Sequence, residues 1–374
     1  MSRKTSILIL IMIISLALIF FTWQGLKNNQ VELDEVKHTT TLIKREYEQL
    51  KKQIAQPKYK SDEFQAGMNV LIYGHPEKEA AIEMFQHLRK LGINSVAIVF
   101  PIYQMGIQAN EVKNNPMITP TMTEIRTLID EAHAIGLSVM LRPILDEESF
   151  QAANMWRGQI KPTNPEAWFD SYQSLLLTYA KLAQATDVEI FNIGTEFNSL
   201  QKSYQAQWQR LIHALREAYQ GELIYSFNWD TVHDIPRIEF VDLLDYVGID
   251  AYFPLHASNG ASVETLEKAW DKWIDQVKRP LKNKSVVITE SGIVPVRGAY
   301  RTPYSWQFPN GKLDWDAQAH YYEATYRVWK PLIQGIYWWS VTLDENPGAV
   351  NYSPLHSQTE FVIKRHFLKN WKND

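Results

Sequence analysis

The sequence contains no cysteine, which excludes disulfide bonds, thiolate nucleophiles and cysteine metal ligands. It also lacks an excess of positive charge: 38 Lys and Arg residues stand against 42 Asp and Glu residues, for a formal net charge of −4. This balance argues against a nucleic-acid partner. No histidine pair has metal-ligand spacing and no carboxylate cluster follows a predicted strand, so we expect neither a metal nor another cofactor. No internal repeat or low-complexity segment is evident.

The composition is that of a folded protein, with 45% hydrophobic and 21% charged residues. A chain of 374 residues would hold two average domains or one large barrel of alternating strands and helices. The 13 Trp and 18 Tyr residues exceed what core packing usually needs. Flat aromatic rings with a polar edge suit sugar ligands, although most of these rings could equally belong to the core.

The N-terminal residues 5–23 carry no charge, and a helix of roughly 20 such residues crosses the hydrocarbon core of a membrane. A cleaved signal peptide would have a shorter apolar run followed by small residues, whereas this run ends in aromatic residues. Arg3 and Lys4 precede it and favour a cytoplasmic N-terminus. Residues 1–28 are therefore predicted to be a cytoplasmic tip and an uncleaved signal anchor, which places the rest of this single-pass membrane protein outside the cytoplasm.

Residues 29–60 are predicted to form a helical stalk or linker, since apolar residues recur at steps of three and four until Pro57. The seam consists of Leu33, Val36, Thr40, Ile43, Tyr47, Leu50 and Ile54. A simple spacer is one interpretation. The other is a stalk that gives weak self-association, although about three heptads are few for a coiled coil and Thr40 and Tyr47 are poor seam residues.

Residues 61–374 are predicted to form one catalytic domain in which short apolar runs alternate with helical patterns, as in a (β/α)₈ TIM barrel. The eight predicted strands are Gly67–Tyr73, Ser95–Phe100, Ser138–Pro143, Glu189–Gly194, Leu223–Phe227, Tyr246–Ala251, Val286–Thr289 and Gly335–Ser340. Amphipathic helices are predicted between most of them. The segment between Trp229 and Leu244 is short and contains Pro236, so we expect an abbreviated or irregular helix there.

Glu196 and Glu290 follow the fourth and seventh predicted strands. Side chains at the carboxyl ends of barrel strands point into the loop-lined mouth, where TIM-barrel chemistry takes place. Two carboxylates facing each other there fit glycoside hydrolysis, in which one group protonates the departing oxygen and the other attacks the anomeric carbon. We therefore predict that both are catalytic.

The other predicted strand ends carry side chains that suit a sugar site, and each could equally be structural. These substrate-binding candidates are Arg142 after strand three, Asn228 and Trp229 after strand five, Asp250 and Tyr252 after strand six, and Trp338 and Trp339 on strand eight. An arginine at the mouth can keep a carboxylate ionised, and the Tyr252 hydroxyl could bond Glu290. Neighbours on a strand point oppositely, so only one of the two tryptophans should face the cavity.

Two long loops could form walls around an extended substrate. Residues 146–163 contain Trp156, a further substrate-binding candidate, and the aromatic residues of 293–315 include Tyr300, Tyr304, Trp306 and Trp315. These rings could equally pack against the barrel rim.

Five motifs together resemble glycoside hydrolase family 113, and the resemblance runs from about Phe64 to Ser340. The motifs are Trp-Arg-Gly-Gln-Ile at 156–160, Asn-Ile-Gly-Thr-Glu-Phe at 192–197, Tyr-Val-Gly-Ile-Asp-Ala-Tyr-Phe-Pro-Leu at 246–255, Ile-Thr-Glu-Ser-Gly at 288–292 and Gly-Ile-Tyr-Trp-Trp at 335–339. The resemblance implies a retaining (β/α)₈ hydrolase of clan A, with β-1,4-mannanase as the typical activity. It implies Glu196 as acid/base and Glu290 as nucleophile. Thr195 departs from the Asn common in the clan but agrees with this family.

The sequence thus predicts a membrane-anchored endo-glycoside hydrolase that cleaves a β-1,4-mannan-like polysaccharide outside the cytoplasm. Retention predicts catalytic carboxyl groups ~5–5.5 Å apart, against ~6.5–9.5 Å for inversion. The alternatives are another β-glycanase, an exopolysaccharide-processing hydrolase of the same mechanism that trims a self-made surface polymer, or a non-catalytic carbohydrate-binding barrel at the cell surface.

Overall fold

Eight parallel strands close into a barrel in chain order, with β8 paired to β1. The computed structural model describes residues 63–146, 148–151 and 154–370. The strands are β1 (Gln65–Leu71), β2 (Ser95–Ile102), β3 (Ser138–Leu145), β4 (Ile190–Thr195), β5 (Glu222–Asn228), β6 (Tyr246–Asp250), β7 (Val286–Ser291) and β8 (Gly335–Thr342). The predicted (β/α)₈ barrel is confirmed, and each predicted strand overlaps an observed one.

The longer helices that surround the barrel in the described part of the chain are α1 (Lys78–Lys90), α2 (Met122–Ala134), α3 (Pro165–Ala185), α4 (Gln205–Ala218), α5 (Val263–Val277), α6 (Trp315–Trp329) and α7 (Gln358–Asn370). Side-chain caps start several of them because the first backbone N–H groups of a helix lack intrahelical partners. Thr121 forms a capping box with Glu124 at α2, and Asn164 accepts from the backbone N–H of Ala167 at α3.

The connection between β5 and β6 contains two 3₁₀ segments in place of an α-helix, at Trp229–Arg237 and Glu239–Leu243. Pro236 lies inside the first segment, where it cannot donate a backbone hydrogen bond. The expectation of an irregular fifth crossover is confirmed. The short crossover starts with Trp229 directly after β5, at the mouth of the barrel.

The interior of the barrel has an apolar middle layer and a polar layer at the carboxyl ends of its strands. The middle layer holds buried apolar side chains, among them Ala97, Met140, Ile190, Ile224 and Val287. Towards the carboxyl ends of the strands, the buried inward-facing side chains are instead Asn69, Arg142, Asp250 and Glu290. Buried polar groups require hydrogen-bond partners, so this upper layer is a candidate functional centre.

The predicted membrane segment 5–23 and the predicted stalk 29–60 lie outside the described residues and stay predictions. Within the ranges that the structure describes, no helix is both long enough and apolar enough to cross a membrane.

Candidate active site

A cavity of about 1170 Å³ opens at the carboxyl ends of the strands. Glu196 and Glu290 both line it, and so do Trp156, Asn228, Trp229, Tyr252 and Trp339 among the predicted binding residues. Its volume exceeds the ~300–1,000 Å³ typical of small-molecule pockets. The cavity therefore has room for a ligand larger than a typical small molecule.

Glu290 is buried on β7, and both of its carboxylate oxygens accept a hydrogen bond. Oε1 accepts from Arg142 Nη2 at 2.6 Å, and Oε2 accepts from the Tyr252 hydroxyl at 2.9 Å. A charged donor on one oxygen and a neutral donor on the other fix the plane of the carboxylate. Glu290 is thus oriented before any ligand arrives.

Arg142 lies completely buried under the cavity, where it connects four strands. Nη1 donates to Asn69 Oδ1 on β1 at 3.1 Å and to the Thr289 carbonyl oxygen on β7 at 3.0 Å. Nη2 donates to both oxygens of Asp250 on β6, at 3.1 and 3.2 Å, as well as to Glu290. The planar fork of a guanidinium suits such simultaneous contacts, which an ammonium group could not reproduce.

Burial and mutual charge set the protonation of this cluster. Burial raises the pKa of Glu290 to about 7, the Asp250 carboxylate adds to the increase, and Arg142 and Arg157 oppose it. Burial also raises the pKa of Asp250, against the effect of Arg142 and the Thr289 hydroxyl. Burial disfavours the charge of Arg142, but Asp250 and Glu290 outweigh it and raise the pKa of the guanidinium.

Tyr252 serves Glu290 as a hydrogen-bond donor. Burial, and next the charge of Glu290, raise the pKa of the Tyr252 hydroxyl well above its usual value. The tyrosine therefore keeps its proton at any pH near neutrality. Its ring contacts Tyr352 edge-on, with centroids 6.3 Å apart.

Glu196 directly follows β4 in a left-handed backbone conformation, with φ of 56°. Its N–H donates to the Ser226 carbonyl at 2.9 Å, and its own carbonyl accepts from the Asn198 N–H at 2.8 Å. The next residue is fixed as well, because the Phe197 N–H donates to the Tyr225 hydroxyl at 3.0 Å. Non-glycine residues rarely adopt such a conformation, and strain of this kind clusters at functional sites.

The Glu196 side chain is more open to the cavity than that of Glu290 and has a cationic neighbour. Its Oε2 lies 3.8 Å from Arg157 Nη1, and both side chains are 14% exposed. Arg157 belongs to a short 3₁₀ turn, Arg157–Gln159, in the loop after β3. The two glutamates therefore occupy different environments on the same cavity, which is the arrangement expected for two catalytic roles.

The structure brings five of the eight predicted binding residues to the cavity and leaves three away from its surface. Arg142 and Asp250 lie beneath the floor, where Asp250 also accepts from the Thr289 hydroxyl at 2.7 Å. Trp338 points outward and stacks on Tyr322, with centroids 4.1 Å apart, whereas Trp339 lines the cavity. These three substrate-binding candidates therefore do not line the cavity, but Arg142 bonds a carboxylate, Glu290, as was also expected of it.

Trp156 reaches the cavity from the loop after β3. Its ring lies against the backbone of Gly158, where an added Cβ would come within 2.4 Å of the indole. Asn228 is mostly buried, and its Oδ1 has no hydrogen-bond partner among the described residues. This oxygen is itself buried, so it does not face the cavity as an open acceptor for a ligand.

Asn69 and Thr289 also belong to the cluster, although they were not among the predicted site residues. Asn69 Nδ2 donates to the Thr289 carbonyl at 2.9 Å, and its Oδ1 accepts from Arg142. Asn69 could have been recognised from the sequence, because it is an asparagine inside an otherwise apolar predicted strand, Gly-Met-Asn-Val-Leu. No group of three or more His, Asp or Glu side chains in the described part of the chain is arranged to hold a metal ion.

The sequence matches the model of Glycoside Hydrolase Family 113 over residues 70–351. No curated protein matches it significantly. A solved GH113 β-mannanase from Alicyclobacillus acidocaldarius superposes with a TM-score of 0.72 at 23% identity, covering 82% of this chain and 98% of that one. A second GH113 β-1,4-mannanase gives a TM-score of 0.71 at 22% identity, covering 82% and 99%.

A β-glucuronidase from Ruminococcus gnavus gives a TM-score of 0.56 at 12% identity, covering 82% of this chain and 50% of that one. At these identities the structural likenesses show a shared barrel fold.

Proposed function

The chain belongs to glycoside hydrolase family 113, and on that premise we propose that it cleaves a β-1,4-mannan-like polysaccharide internally, with retention of configuration. Membership of the family makes it a glycoside hydrolase. The two similar solved structures named as β-mannanases support mannan as the first substrate to test.

The observation that carries the proposal is the contrast between the two glutamates on one cavity. Glu290 is held by Arg142 and Tyr252, while Glu196 extends from a left-handed turn at the end of β4. A nucleophile benefits from a fixed orientation and an adjacent cation, whereas an acid/base group must reach the departing oxygen and later a water molecule.

In the proposed first step, a Glu290 oxygen forms a bond to the anomeric carbon as the bond to the departing oxygen breaks. Glu196 gives its proton to that oxygen. In the second step, Glu196 takes a proton from water, whose oxygen bonds to the anomeric carbon and releases Glu290. Two inversions give retention, and the mechanism requires the carboxyl groups ~5–5.5 Å apart.

The test is product analysis after incubation of the full-length protein, in detergent, with β-1,4-mannan, glucomannan, cellulose and β-glucan. We expect mannan to yield internal fragments of mixed size, and NMR of the first products to show the β-anomer. Glu290→Gln should release no product, while Glu264→Gln, an exposed glutamate on α5, should match the wild type.

Other outcomes would replace the proposal. Preferential cleavage of cellulose or β-glucan would make the protein another β-glycanase. Binding of a polysaccharide without release of any product would favour a carbohydrate-binding barrel.

We further propose that the protein is anchored in the cell membrane by residues 5–23, with the barrel outside the cytoplasm. The uncharged run and the preceding Arg3 and Lys4 support this. Wild-type protein should stay with membranes after an alkaline wash, whereas Ile13→Arg/Ile14→Arg should be released. Resistance of the barrel to protease added to intact cells would contradict the proposed orientation.

A further inference from the structure

Two large aromatic side chains stand exposed at the rim of the cavity. Tyr304 is 52% exposed and Trp306 is 61% exposed. Both lie in the loop between β7 and α6, and both line the same cavity as Glu196 and Glu290. Single exposed aromatic residues are common on protein surfaces, so exposure alone assigns them no function. The hydrogen bonds that support their loop and the alignment of Tyr304 with a second ring distinguish them.

The loop that carries these rings is braced on two sides. Tyr300 is fully buried, its carbonyl accepts from the Leu255 N–H at 2.7 Å, and its hydroxyl donates to the Ser258 carbonyl. The Tyr352 hydroxyl donates to the Pro303 carbonyl at 2.6 Å. Tyr304 therefore follows a residue whose carbonyl is held by a hydrogen bond. A rigid aromatic surface binds a ligand at a lower entropic cost than a mobile one.

Tyr304 is also aligned with a second ring. Its plane lies within 3° of the plane of Trp229, with centroids 6.2 Å apart. Trp229 is itself held by Trp273, whose centroid lies 5.7 Å away at 78°, and the Trp273 indole N–H donates to the Pro254 carbonyl at 2.8 Å. The loops after β5 and β7 thus bring two parallel aromatic rings together among the residues that line the cavity.

We propose that Trp229, Tyr304 and Trp306 form an outer sugar-binding platform that holds pyranose units beyond the one cleaved at Glu290. In a β-1,4-linked mannopyranose chain, one face of each ring presents only axial C–H groups, so this face matches a flat aromatic ring. The cavity volume of about 1170 Å³ leaves room for several units. The platform rests on the proposed function for its substrate and gives a physical reason for action within a polymer.

The test measures kcat/KM on β-1,4-mannooligosaccharides from the disaccharide to the hexasaccharide. The loss caused by Trp306→Ala or Tyr304→Ala should grow with chain length and reach about 10-fold on the hexasaccharide, the effect of one lost stacking contact. Tyr304→Phe and Trp306→Tyr keep a flat ring and should recover most of the activity. Phe361→Ala is the matched control, because Phe361 is 72% exposed on α7 and does not line the cavity.

A loss that is equal at every chain length, or no loss, would overturn the platform. Affinity electrophoresis separates this inference from the proposed function. The full-length Glu290→Gln protein should be retarded by at least one of mannan, glucomannan and cellulose, and the added Trp306→Ala change should reduce the retardation. That result together with absence of mannan cleavage by the wild type would refute only the proposed function. Equal migration of the two proteins, or no retardation by any of these polymers, would refute the platform.

Discussion

Asp250 and Glu290 share one nitrogen of one buried arginine: Arg142 Nη2 lies 3.1 Å from Asp250 Oδ1 and 2.6 Å from Glu290 Oε1. Two buried carboxylates beside a single cation cannot both ionise as readily as either would alone. Asp250 is completely buried, so it acts on the reaction through Glu290 and Arg142.

Asp250→Asn should move the acidic limb of the kcat/KM profile to lower pH. Glu290 must be ionised to attack, and burial and Asp250 raise its pKa to about 7, so wild-type activity should increase as the pH rises through about 7. Removal of the Asp250 charge lowers the pKa of Glu290, and ionisation then occurs at lower pH. A profile unchanged from the wild type, in a variant whose thermal unfolding shows an intact fold, would contradict the coupling.

Tyr252→Phe should move the same limb in the opposite direction. The Tyr252 hydroxyl donates to Glu290 at 2.9 Å and opposes the increase in the pKa of this carboxyl. Without that donor the pKa of Glu290 should be higher still, and activity should begin at higher pH. The paired measurement with Asp250→Asn controls for general damage, since loosening of the site would not produce shifts of opposite sign.

The two glutamates should differ in the size of their kinetic effects. Glu290→Ala should abolish turnover, whereas Glu196→Ala should reduce kcat by about 10²–10⁴-fold on a substrate with a poor leaving group. With an activated aryl glycoside, bond cleavage needs no proton, so Glu196→Ala should accumulate glycosyl-enzyme detectable by mass spectrometry. Wild-type rates in both variants would end the catalytic assignment.

Glu196→Gly should be more stable than Glu196→Ala by about 1 kcal/mol, because a side chain in the left-handed region costs roughly 1–2 kcal/mol. Thermal unfolding of the two variants measures the difference. The control is the same pair at Glu83, an exposed position inside α1. There the order should reverse, with the glycine variant less stable by about 1 kcal/mol. If the glycine variant were the less stable one at position 196 as well as at position 83, strain at Glu196 would be contradicted.

Arg142→Met should destabilise the barrel by about 3–5 kcal/mol, because it leaves buried carboxylates without their cation. The measurement is denaturant unfolding. Arg237→Met is a suitable control: its side chain is 70% exposed and pairs with Asp234 on the surface, so it should cost at most about 1 kcal/mol. The double variant Arg142→Met/Asp250→Asn should lose less than the sum of the single changes, and simple additivity would contradict the shared cluster.

Much of the fold was predictable because its signals are local. An apolar run followed by a helical period repeats along the chain from β1 to β8, and Pro236 marks the irregular crossover. Counting these repeats also places Glu196 and Glu290 at the ends of the fourth and seventh strands. Strand alternation also indicated that one of Trp338 and Trp339 would turn away from the cavity, but not which one.

The partners of Arg142 were not predictable in the same way. Its hydrogen-bond acceptors come from β1, β6 and β7, and Asn69 and Glu290 are separated from it by 73 and 148 residues. Only closure of the barrel places these side chains in one layer. The sequence predicted both Asp250 and Tyr252 as substrate-binding residues, because both lie at the carboxyl end of the sixth predicted strand. In the structure Asp250 is buried beneath the cavity, whereas Tyr252 lines it.

The sequence by itself determined the barrel, the two carboxylates and the family, because hydrophobic period, strand order and short motifs are properties of neighbouring residues. Only the tertiary structure decided how the carboxylates differ: Glu290 shares Arg142 with Asp250, whereas Glu196 adopts a left-handed turn beside Arg157. The tertiary structure also decided that Tyr304 aligns with Trp229. The physical reason is that charge, burial and ring stacking act across space between segments far apart in the chain.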